Sequence, residues 1–279
     1  MVSIQRKDWQ KWLHSRYGPW AVVTGASSGI GKEIALCLAE ARLNLVLVAR
    51  SEDLLEQMAT ALSDRYGIQT RVVRLDLAAE TGVEILTTVT QDLDVGLLVA
   101  AAGFGTSGLL VDAQLSQEIE MLNVNCRSLL ALSWYFGQRF AKRGQGAMVL
   151  MSSIVGFQGT PFAAHYAATK AYVQTLAEAL SLELAPLGVD VIASAPGPTN
   201  SGFADRAGMK MAQALHPREV ARDTLHALGR KSTVLPGALS KLLGYSLVPL
   251  PRWARVRIMG NVMKGMTHPS SQNFDHKER

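Results

Sequence analysis

Tyr166 and Lys170 stand four residues apart, a spacing that places a phenol and an ammonium on the same face of a helix. Ser153 lies thirteen residues before Tyr166, at the end of an apolar, strand-like run. A free phenol has a pKa near 10, and a neighbouring positive charge favours its ionised form. A hydroxyl such as that of Ser153 can hold a carbonyl oxygen as charge develops on it. The three residues therefore predict proton transfer at a carbonyl or alcohol oxygen.

A glycine-rich turn, Thr24 to Gly31, follows the first apolar run and precedes a helical pattern. Glycines in such a turn let the backbone approach a pyrophosphate, whose charge lies at the N-terminus of the next helix. The residues predicted to hold a dinucleotide here are Gly25, Ser27, Ser28, Gly29, Ile30 and Gly31. A dinucleotide beside the Ser–Tyr–Lys set predicts hydride transfer.

Short, continuous apolar runs alternate with helical patterns along the 279 residues. The runs predict strands buried on both faces at Ala21–Thr24, Asn44–Ala49, Thr70–Leu75, Gly96–Ala101, Ala147–Ser152 and Val189–Ala195. The patterns between them predict helices at Gly29–Ala41, Glu52–Tyr66, Ala79–Thr90, Ser116–Lys142 and Ala164–Leu184. This alternation favours a single α/β domain built on a doubly wound parallel sheet.

From about Trp20 to Ala227 the chain resembles the short-chain dehydrogenase/reductase family, with its motifs in the family's order. The resemblance implies a Rossmann-type sheet of about seven strands with helices on both faces. It divides the chain into an N-terminal extension (1–19), a catalytic domain (20–230) with a substrate flap near 200–216, and a C-terminal extension (231–279). The family commonly pairs long helices between subunits, so a homodimer or homotetramer is expected. Packing of these helices on the sheet alone is the alternative.

The resemblance also implies roles for the catalytic residues. Tyr166 is the expected general acid in reduction and base in oxidation, Lys170 binds the ribose hydroxyls, and Ser153 donates to the substrate oxygen. Asn125 is expected to anchor a water that relays protons to Lys170. Ser152 is the neighbouring alternative to Ser153, but strand alternation sends the two to opposite faces. His165 is expected to pack or to border the pocket.

Arg50 and Ser51 follow the second strand, where NAD-specific proteins carry an acid that binds the ribose 2′-hydroxyl. A guanidinium matches a 2′-phosphate, so the predicted cofactor is NADP(H), and no metal is expected. By resemblance, further cofactor contacts come from Asp76, Leu77, Ala102, Gly103, Asn125, Tyr166, Lys170, Pro196, Gly197 and Thr199. The family's paired asparagines are replaced by Ala100 and Ala101, which predicts altered packing without loss of binding.

The candidate substrate pocket is apolar and aromatic. Besides Ser153, its predicted lining is Phe104, Ile154, Phe157, Phe162, Phe203 and Met209. This favours a hydrophobic ketone or aldehyde. A 3-oxoacyl thioester reductase is the first alternative, because Arg127, Arg139 and Arg143 offer a docking surface for a carrier, although they equally suit a solvated helix. A sensor or membrane-associated protein that binds NADP(H) without turnover is the second.

The net charge of +5 is too modest to predict a nucleic-acid partner. Cys37 and Cys126 are interpreted as reduced, buried thiols, which favours a cytoplasmic location. Residues 1–16 lack the apolar core of a signal peptide, and no run of apolar residues is long enough to span a membrane.

The last quarter of the chain is basic and apolar. Between Thr224 and Phe274 there are seven basic residues and no acidic one, and Arg252 to Met263 predicts a basic amphipathic helix. Two interpretations are open: packing on the domain or on a second subunit, which we favour, and peripheral contact with an anionic membrane.

Overall fold

A seven-stranded parallel sheet forms the centre of the molecule in a computed structural model that describes residues 6–209 and 213–267. The strands are β1 Trp20–Thr24, β2 Asn44–Ala49, β3 Thr70–Arg74, β4 Val95–Ala100, β5 Gly146–Met151, β6 Val189–Ser194 and β7 Thr233–Val234. Their spatial order is β3-β2-β1-β4-β5-β6-β7, and every neighbouring pair is parallel. The doubly wound sheet predicted from the sequence is confirmed.

Helices cover both faces of the sheet. They are α1 Arg6–Tyr17, α2 Gly29–Glu40, α3 Glu52–Tyr66, α4 Gly82–Val89, α5 Leu115–Leu122, α6 Leu129–Arg143, α7 Ala164–Glu183, α8 Phe203–Arg206, α9 Pro217–Ala227, α10 Gly237–Leu247 and α11 Arg252–Met266. Alternate residues of a strand pack into separate cores on the two faces of the sheet. In β1, Ala21 and Val23 pack on one face and Val22 packs on the other. The carboxyl ends of the strands meet at one edge, where ligands bind in open α/β sheets.

The N-terminal extension contains a helix that the sequence analysis did not predict. Trp9, Leu13 and Tyr17 on α1 are buried in the same core as β1 and β2. The hydroxyl of Tyr17 also donates to Asp190 Oδ2 at 2.7 Å, which ties α1 to β6. The part of the extension that the structure describes therefore belongs to the domain.

The predicted helix Ser116–Lys142 is interrupted. Between α5 and α6 the backbone widens into a π-helical segment, Asn123–Ser128. Such insertions re-aim side chains and are frequent at functional sites. Here the segment turns Asn125 inward, where it is fully buried.

The proposed boundary at residue 230 does not separate the C-terminal extension from the domain. Strand β7, which follows it, pairs with β6, and α10 and α11 return to the carboxyl edge of the sheet. Residues 268–279 lie outside the described part of the chain. Within the described part, no helix is long and apolar enough to cross a membrane.

Candidate active site

A cavity of about 600 Å3 opens at the carboxyl edge of the sheet. One end is bordered by the glycine turn and by Arg50 after β2. The middle holds Ser153, Tyr166 and Lys170, and the far end is closed by α10 and α11. The topology thus brings motifs separated by more than 140 residues to one groove.

Tyr166 and Lys170 project from the first turns of α7 into this cavity and are almost fully buried. The Nζ atom of Lys170 lies 5.8 Å from the centre of the Tyr166 ring and donates to the Met151 carbonyl at 2.8 Å. Ser153 follows β5, donates to the Pro196 carbonyl at 3.4 Å and forms a hydrogen bond with the Tyr166 phenol. A hydroxyl, a phenol and an ammonium therefore converge on one point.

Burial shifts the pKa values of the phenol and the ammonium in opposite directions. It raises the pKa of Tyr166 above its usual value of 10, and the hydrogen bond with Ser153 opposes this change. It lowers the pKa of Lys170 to about 8. Both shifts favour the neutral form, as expected for buried groups. Ionisation of the phenol near neutral pH therefore requires added positive charge in the cavity.

Asn125 lies behind the cavity wall and does not line it. Its Oδ1 accepts from the Phe104 amide at 3.2 Å, and its Nδ2 donates to the Phe104 carbonyl and to Thr169 Oγ1 at 2.9 and 3.0 Å. A Cβ added at Gly103 would meet Asn125 Oδ1 at 2.8 Å and Lys170 Nζ at 3.5 Å. The amide thus fixes the strand end beside Lys170, and the water relay stays a prediction.

The backbone of the glycine turn lies so close to neighbouring backbone that side chains at its glycines would not fit. A Cβ at Gly31 would lie 2.3 Å from the Gly25 carbonyl oxygen, so α2 packs directly on the end of β1. Gly25 has a φ of 69° and approaches the backbone of Ala102. The side chain of Ser28, which precedes α2, makes no capping hydrogen bond. Amides of the first turn therefore face the cavity, a geometry that suits a pyrophosphate.

The chain's departure from the family's paired asparagines has a local compensation. Strand β4 ends at Ala100, and the amides of Ala101 and Ala102 both donate to Thr24 Oγ1 at 3.1 Å. The Thr24 hydroxyl in turn donates to the Val99 carbonyl. One threonine thereby holds β1 against the end of β4.

Two arginines share one carboxylate at the entrance. Glu120 Oε1 lies 3.5 Å from Arg50 Nη1 and 3.9 Å from Arg206 Nη2. The Arg206 guanidinium also stacks 4.3 Å from the centre of the Phe104 ring. Burial, followed by the nearby charge of Arg50, lowers the pKa of Arg206. A small side cavity joins Arg50 to Arg74 and Asp76. Arg74, Glu120 and Arg206 were not predicted, because no spacing links them along the chain.

The remaining residues predicted to bind the cofactor line the cavity: Ser27, Ile30, Ser51, Asp76, Leu77, Gly103, Pro196, Gly197 and Thr199. Asp76 Oδ1 accepts from the Ala78 amide at 2.9 Å. The Gly197 amide donates to Ser240 Oγ at 2.7 Å, so α10 supports this loop.

The substrate end of the cavity differs in part from the prediction. Phe104, Ile154, Phe203 and Met209 line it, but it does not reach Phe157 or Phe162. Phe162 adopts a φ of 62°, which turns its carbonyl to the Gly108 amide. In their place the wall is built from apolar side chains of α10 and α11: Leu243, Leu247, Ile258, Met259, Val262, Met263 and Met266. In the sequence, the i, i+4 spacing of Met259 and Met263 predicts that they share one face of a helix. It does not predict which part of the fold that face packs against.

The flap expected near 200–216 is described except for residues 210–212. It carries α8 and closes over the cavity with Phe203, whose ring centre lies 5.2 Å from that of Tyr166. Met209 forms an isolated bridge with Thr267 at the end of α11. The flap and α11 therefore meet above Tyr166.

Two neighbours of the predicted catalytic residues have structural partners. Ser152 Oγ donates to the Lys170 carbonyl at 3.0 Å, away from the phenol. His165 Nδ1 lies 2.6 Å from Glu118 Oε2, which connects the start of α7 to α5. Both placements agree with the choice of Ser153 and with the interpretation of His165 as a packing residue.

The chain belongs to the short-chain dehydrogenase family. The family model for short chain dehydrogenase matches residues 19–212, and the strand order and cavity described above agree with it. This is an oxidoreductase family whose members act on hydroxyl and carbonyl groups. The match ends before α9, so α10 and α11, which close the substrate end, lie beyond it.

Relatives and solved structures support the assignment. A 7beta-hydroxysteroid dehydrogenase of Clostridium sardiniense is 33% identical over 236 residues, covering 82% of this chain and 89% of the relative. A very-long-chain 3-oxoacyl-CoA reductase of Aspergillus clavatus is 37% identical over 179 residues, covering 62% of this chain and 52% of the relative.

Among solved structures, one from a study of 7beta-hydroxysteroid dehydrogenase stereoselectivity is 28% identical with a TM-score of 0.82, covering 88% of this chain and 98% of the other. A short-chain dehydrogenase from Sphingobium yanoikuyae in complex with NADPH is 27% identical with a TM-score of 0.74, covering 94% and 98%.

Proposed function

We propose that this protein is an NADPH-dependent reductase of a bulky, hydrophobic ketone or aldehyde, reversible as an alcohol dehydrogenase. The observation that carries the proposal is the convergence of Ser153, Tyr166 and Lys170 in a cavity whose opposite wall is apolar. A polycyclic ketone of steroid size fits this chemistry, because rigid apolar rings need contact area and few hydrogen bonds.

Each catalytic residue has one task. The glycine turn, Arg50 and Lys170 would hold NADPH, which when bound would supply a hydride to the carbonyl carbon. Ser153 donates a hydrogen bond to the substrate oxygen, and Tyr166 gives that oxygen its proton. Lys170 favours the phenolate that remains and binds the ribose hydroxyls. Asn125 positions Tyr166 and Lys170 through its hydrogen bonds to Phe104 and Thr169.

Preference for NADPH over NADH rests on Arg50. Its guanidinium is half-exposed at the end of β2 and is balanced by Glu120 alone among the carboxylates within 4 Å in the described residues. A 2′-phosphate carries more charge than one carboxylate and accepts bidentate bonds, so it competes well for Arg50. Arg74, across the small side cavity, adds positive charge.

Arg50→Ala is expected to weaken NADPH binding by about 10- to 100-fold, the worth of one or two charge-assisted hydrogen bonds. NADH binding should change little. Glu120→Gln should act in the opposite direction and tighten NADPH, since it releases Arg50. Fluorescence titration of both cofactors measures these effects, with Arg65→Ala on the exposed side of α3 as the control. Equal losses for NADPH and NADH in Arg50→Ala would contradict a 2′-phosphate contact.

The 3-oxoacyl thioester reductase is the second candidate, favoured by the Aspergillus relative. The arginines considered for carrier docking have other partners, which weakens it. Arg127 donates to the Ala78 and Ala79 carbonyls, and Arg139 donates to the Thr90 and Leu93 carbonyls. Arg143 donates to the Gly18 carbonyl and lies 3.4 Å from Asp94. The sensor hypothesis is weakened by membership of a catalytic family.

The pocket wall supplies a direct test of substrate size. Met259→Trp is expected to narrow the cavity and to lower kcat/KM for a polycyclic ketone by about tenfold or more, the cost of overpacking. A small aliphatic ketone should keep its kcat/KM within a few-fold. Leu242→Trp, at an exposed position of α10 outside the cavity, is the control. A similar loss of kcat/KM for both ketones would mean that the polycyclic substrate does not bind against Met259.

The decisive experiment is NADPH oxidation with a panel of polycyclic ketones, aliphatic ketones, aldehydes and 3-oxoacyl thioesters. We expect the polycyclic ketones to give the highest kcat/KM. Preference for a thioester selects the second candidate. NADPH binding without turnover of any member selects the sensor.

We also propose a homodimer or homotetramer. Large apolar side chains remain exposed on α5 to α7, including Leu115, Ile119, Leu130, Trp134 and Tyr172. Several exposed large apolar side chains on neighbouring helices are typical of subunit interfaces. Light scattering of the purified protein measures the mass.

A further inference from the structure

The helices α10 and α11 and the turn between them form what we name the C-terminal hairpin, residues 237–266. It carries the most exposed apolar side chains of this part of the fold. Leu242, Tyr245, Val248 and Trp253 are exposed by 68, 63, 57 and 64%. The turn is held by Arg255, which donates to the Val248 and Leu250 carbonyls. The hairpin is therefore an ordered structure with an uncovered apolar surface.

The charge of the chain is concentrated on and around this hairpin. Residues 224–274 contain seven basic and no acidic residues, whereas the whole chain has a net charge of +5, so the rest of the chain is net negative by two. On α11, Arg257 and Lys264 lie four and eleven residues after Trp253, which places all three on one exposed strip. Basic side chains flanking an exposed tryptophan suit the interface of an anionic lipid bilayer.

Three apolar residues of the hairpin both line the cavity and remain partly exposed. Leu243, Ile258 and Val262 line the cavity and are also exposed by 36, 39 and 48%. Beneath them, Met259 and Met263 are buried in the cavity wall. Ile258 and Val262 lie about 140° and 180° around α11 from Trp253, so the cavity-lining face and the exposed face with Trp253 are different faces of the helix.

We propose that the C-terminal hairpin docks on the surface of an anionic membrane, with Trp253 in the interface and Arg257 and Lys264 on the lipid headgroups. The alternative partners for the hairpin surface are an acidic protein and a second copy of the chain. A second copy is disfavoured because the same positive charges would face each other across a symmetric contact.

The test uses the full chain and sedimentation with vesicles of phosphatidylcholine, either alone or mixed with phosphatidylglycerol. We expect binding only to the mixed vesicles, and raised salt should weaken it. Arg257→Glu with Lys264→Glu should lower the partition coefficient by on the order of twentyfold or more, since each basic residue contributes about fivefold. Trp253→Ser should lower it several-fold and remove a blue shift of tryptophan emission on binding.

Matched controls are available elsewhere on the surface. Arg65 and Lys142 are exposed basic residues on α3 and α6. The pair Arg65→Glu with Lys142→Glu should bind vesicles like the wild type. The hairpin variants leave the cavity lining intact, so each should retain NADPH binding, which verifies folding independently of turnover.

Three results would overturn the proposal. The first is equal binding to vesicles with and without phosphatidylglycerol, or none to either. The second is wild-type vesicle binding by the charge-reversed hairpin. The third is a change of oligomeric mass in the hairpin variants by light scattering, which would assign this surface to a second copy. None depends on turnover, so failure of the proposed reaction and failure of membrane docking remain distinguishable.

Discussion

Tyr166→Phe is expected to lower kcat by about 10²- to 10⁴-fold, the usual contribution of a positioned general acid. The phenyl ring keeps its place against Phe203, because only the hydroxyl is removed. The fold should change in stability by no more than about 1 kcal/mol, the net worth of one hydrogen bond. NADPH affinity should stay within a few-fold, because the glycine turn and Arg50, which are proposed to hold the phosphates and the adenosine, border the other end of the cavity.

The control is Tyr172→Phe on the same helix, where the side chain is 38% exposed and lies outside the cavity. Stopped-flow measurement of a single turnover separates the chemical step from product release. If the Tyr166→Phe enzyme kept near wild-type single-turnover rates, a group other than Tyr166 would be the proton donor. Wild-type and variant proteins that both bind NADPH without turnover would support the sensor.

The fold was predictable because its signal is local and repeated. Each of the six predicted strands begins or ends within one residue of the observed strand, since a strand buried on both faces must be a continuous apolar run. The two-residue β7 was too short to carry such a signal. Helix α1 has its apolar stripe at Trp9, Leu13 and Tyr17, a helical spacing obscured by the many charges around it.

The site was predictable only where the chemistry lies in a motif. The Ser–Tyr–Lys set and the glycine turn have fixed spacings, and the fold brings them together. The Arg50–Glu120–Arg206 cluster joins three elements by long-range packing, and no spacing encodes it. The same holds for Asn125, whose inward direction depends on a π-helical segment that sequence periodicity does not reveal. Residue type alone predicted Phe157 and Phe162, but they do not line the cavity, whose apolar wall comes partly from α10 and α11.

Lys170→Met is expected to abolish most turnover without destabilising the fold at neutral pH. Burial lowers the pKa of Lys170 from 10.5 to about 8, so between these pH values the unfolded chain binds a proton that the folded chain does not. Stability therefore rises with pH across this window, and below about pH 8 the folded state carries a penalty of about 3 kcal/mol. Methionine removes that penalty and loses the hydrogen bond to the Met151 carbonyl, worth about 1–3 kcal/mol.

These opposing effects predict a crossover with pH that an exposed lysine of ordinary pKa would not give. At pH 7 the Met variant should be as stable as the wild type or slightly more so, and above pH 10 it should be less stable by about 1–3 kcal/mol. Urea unfolding at both pH values measures this difference, with the exposed Lys142→Met as a control that should show no crossover. Strong destabilisation of Lys170→Met at pH 7 would instead mean that the buried ammonium is stabilised in the folded state. Because the same burial that makes Lys170 costly also places its charge beside Tyr166, stability and catalysis are expected to oppose each other at this residue.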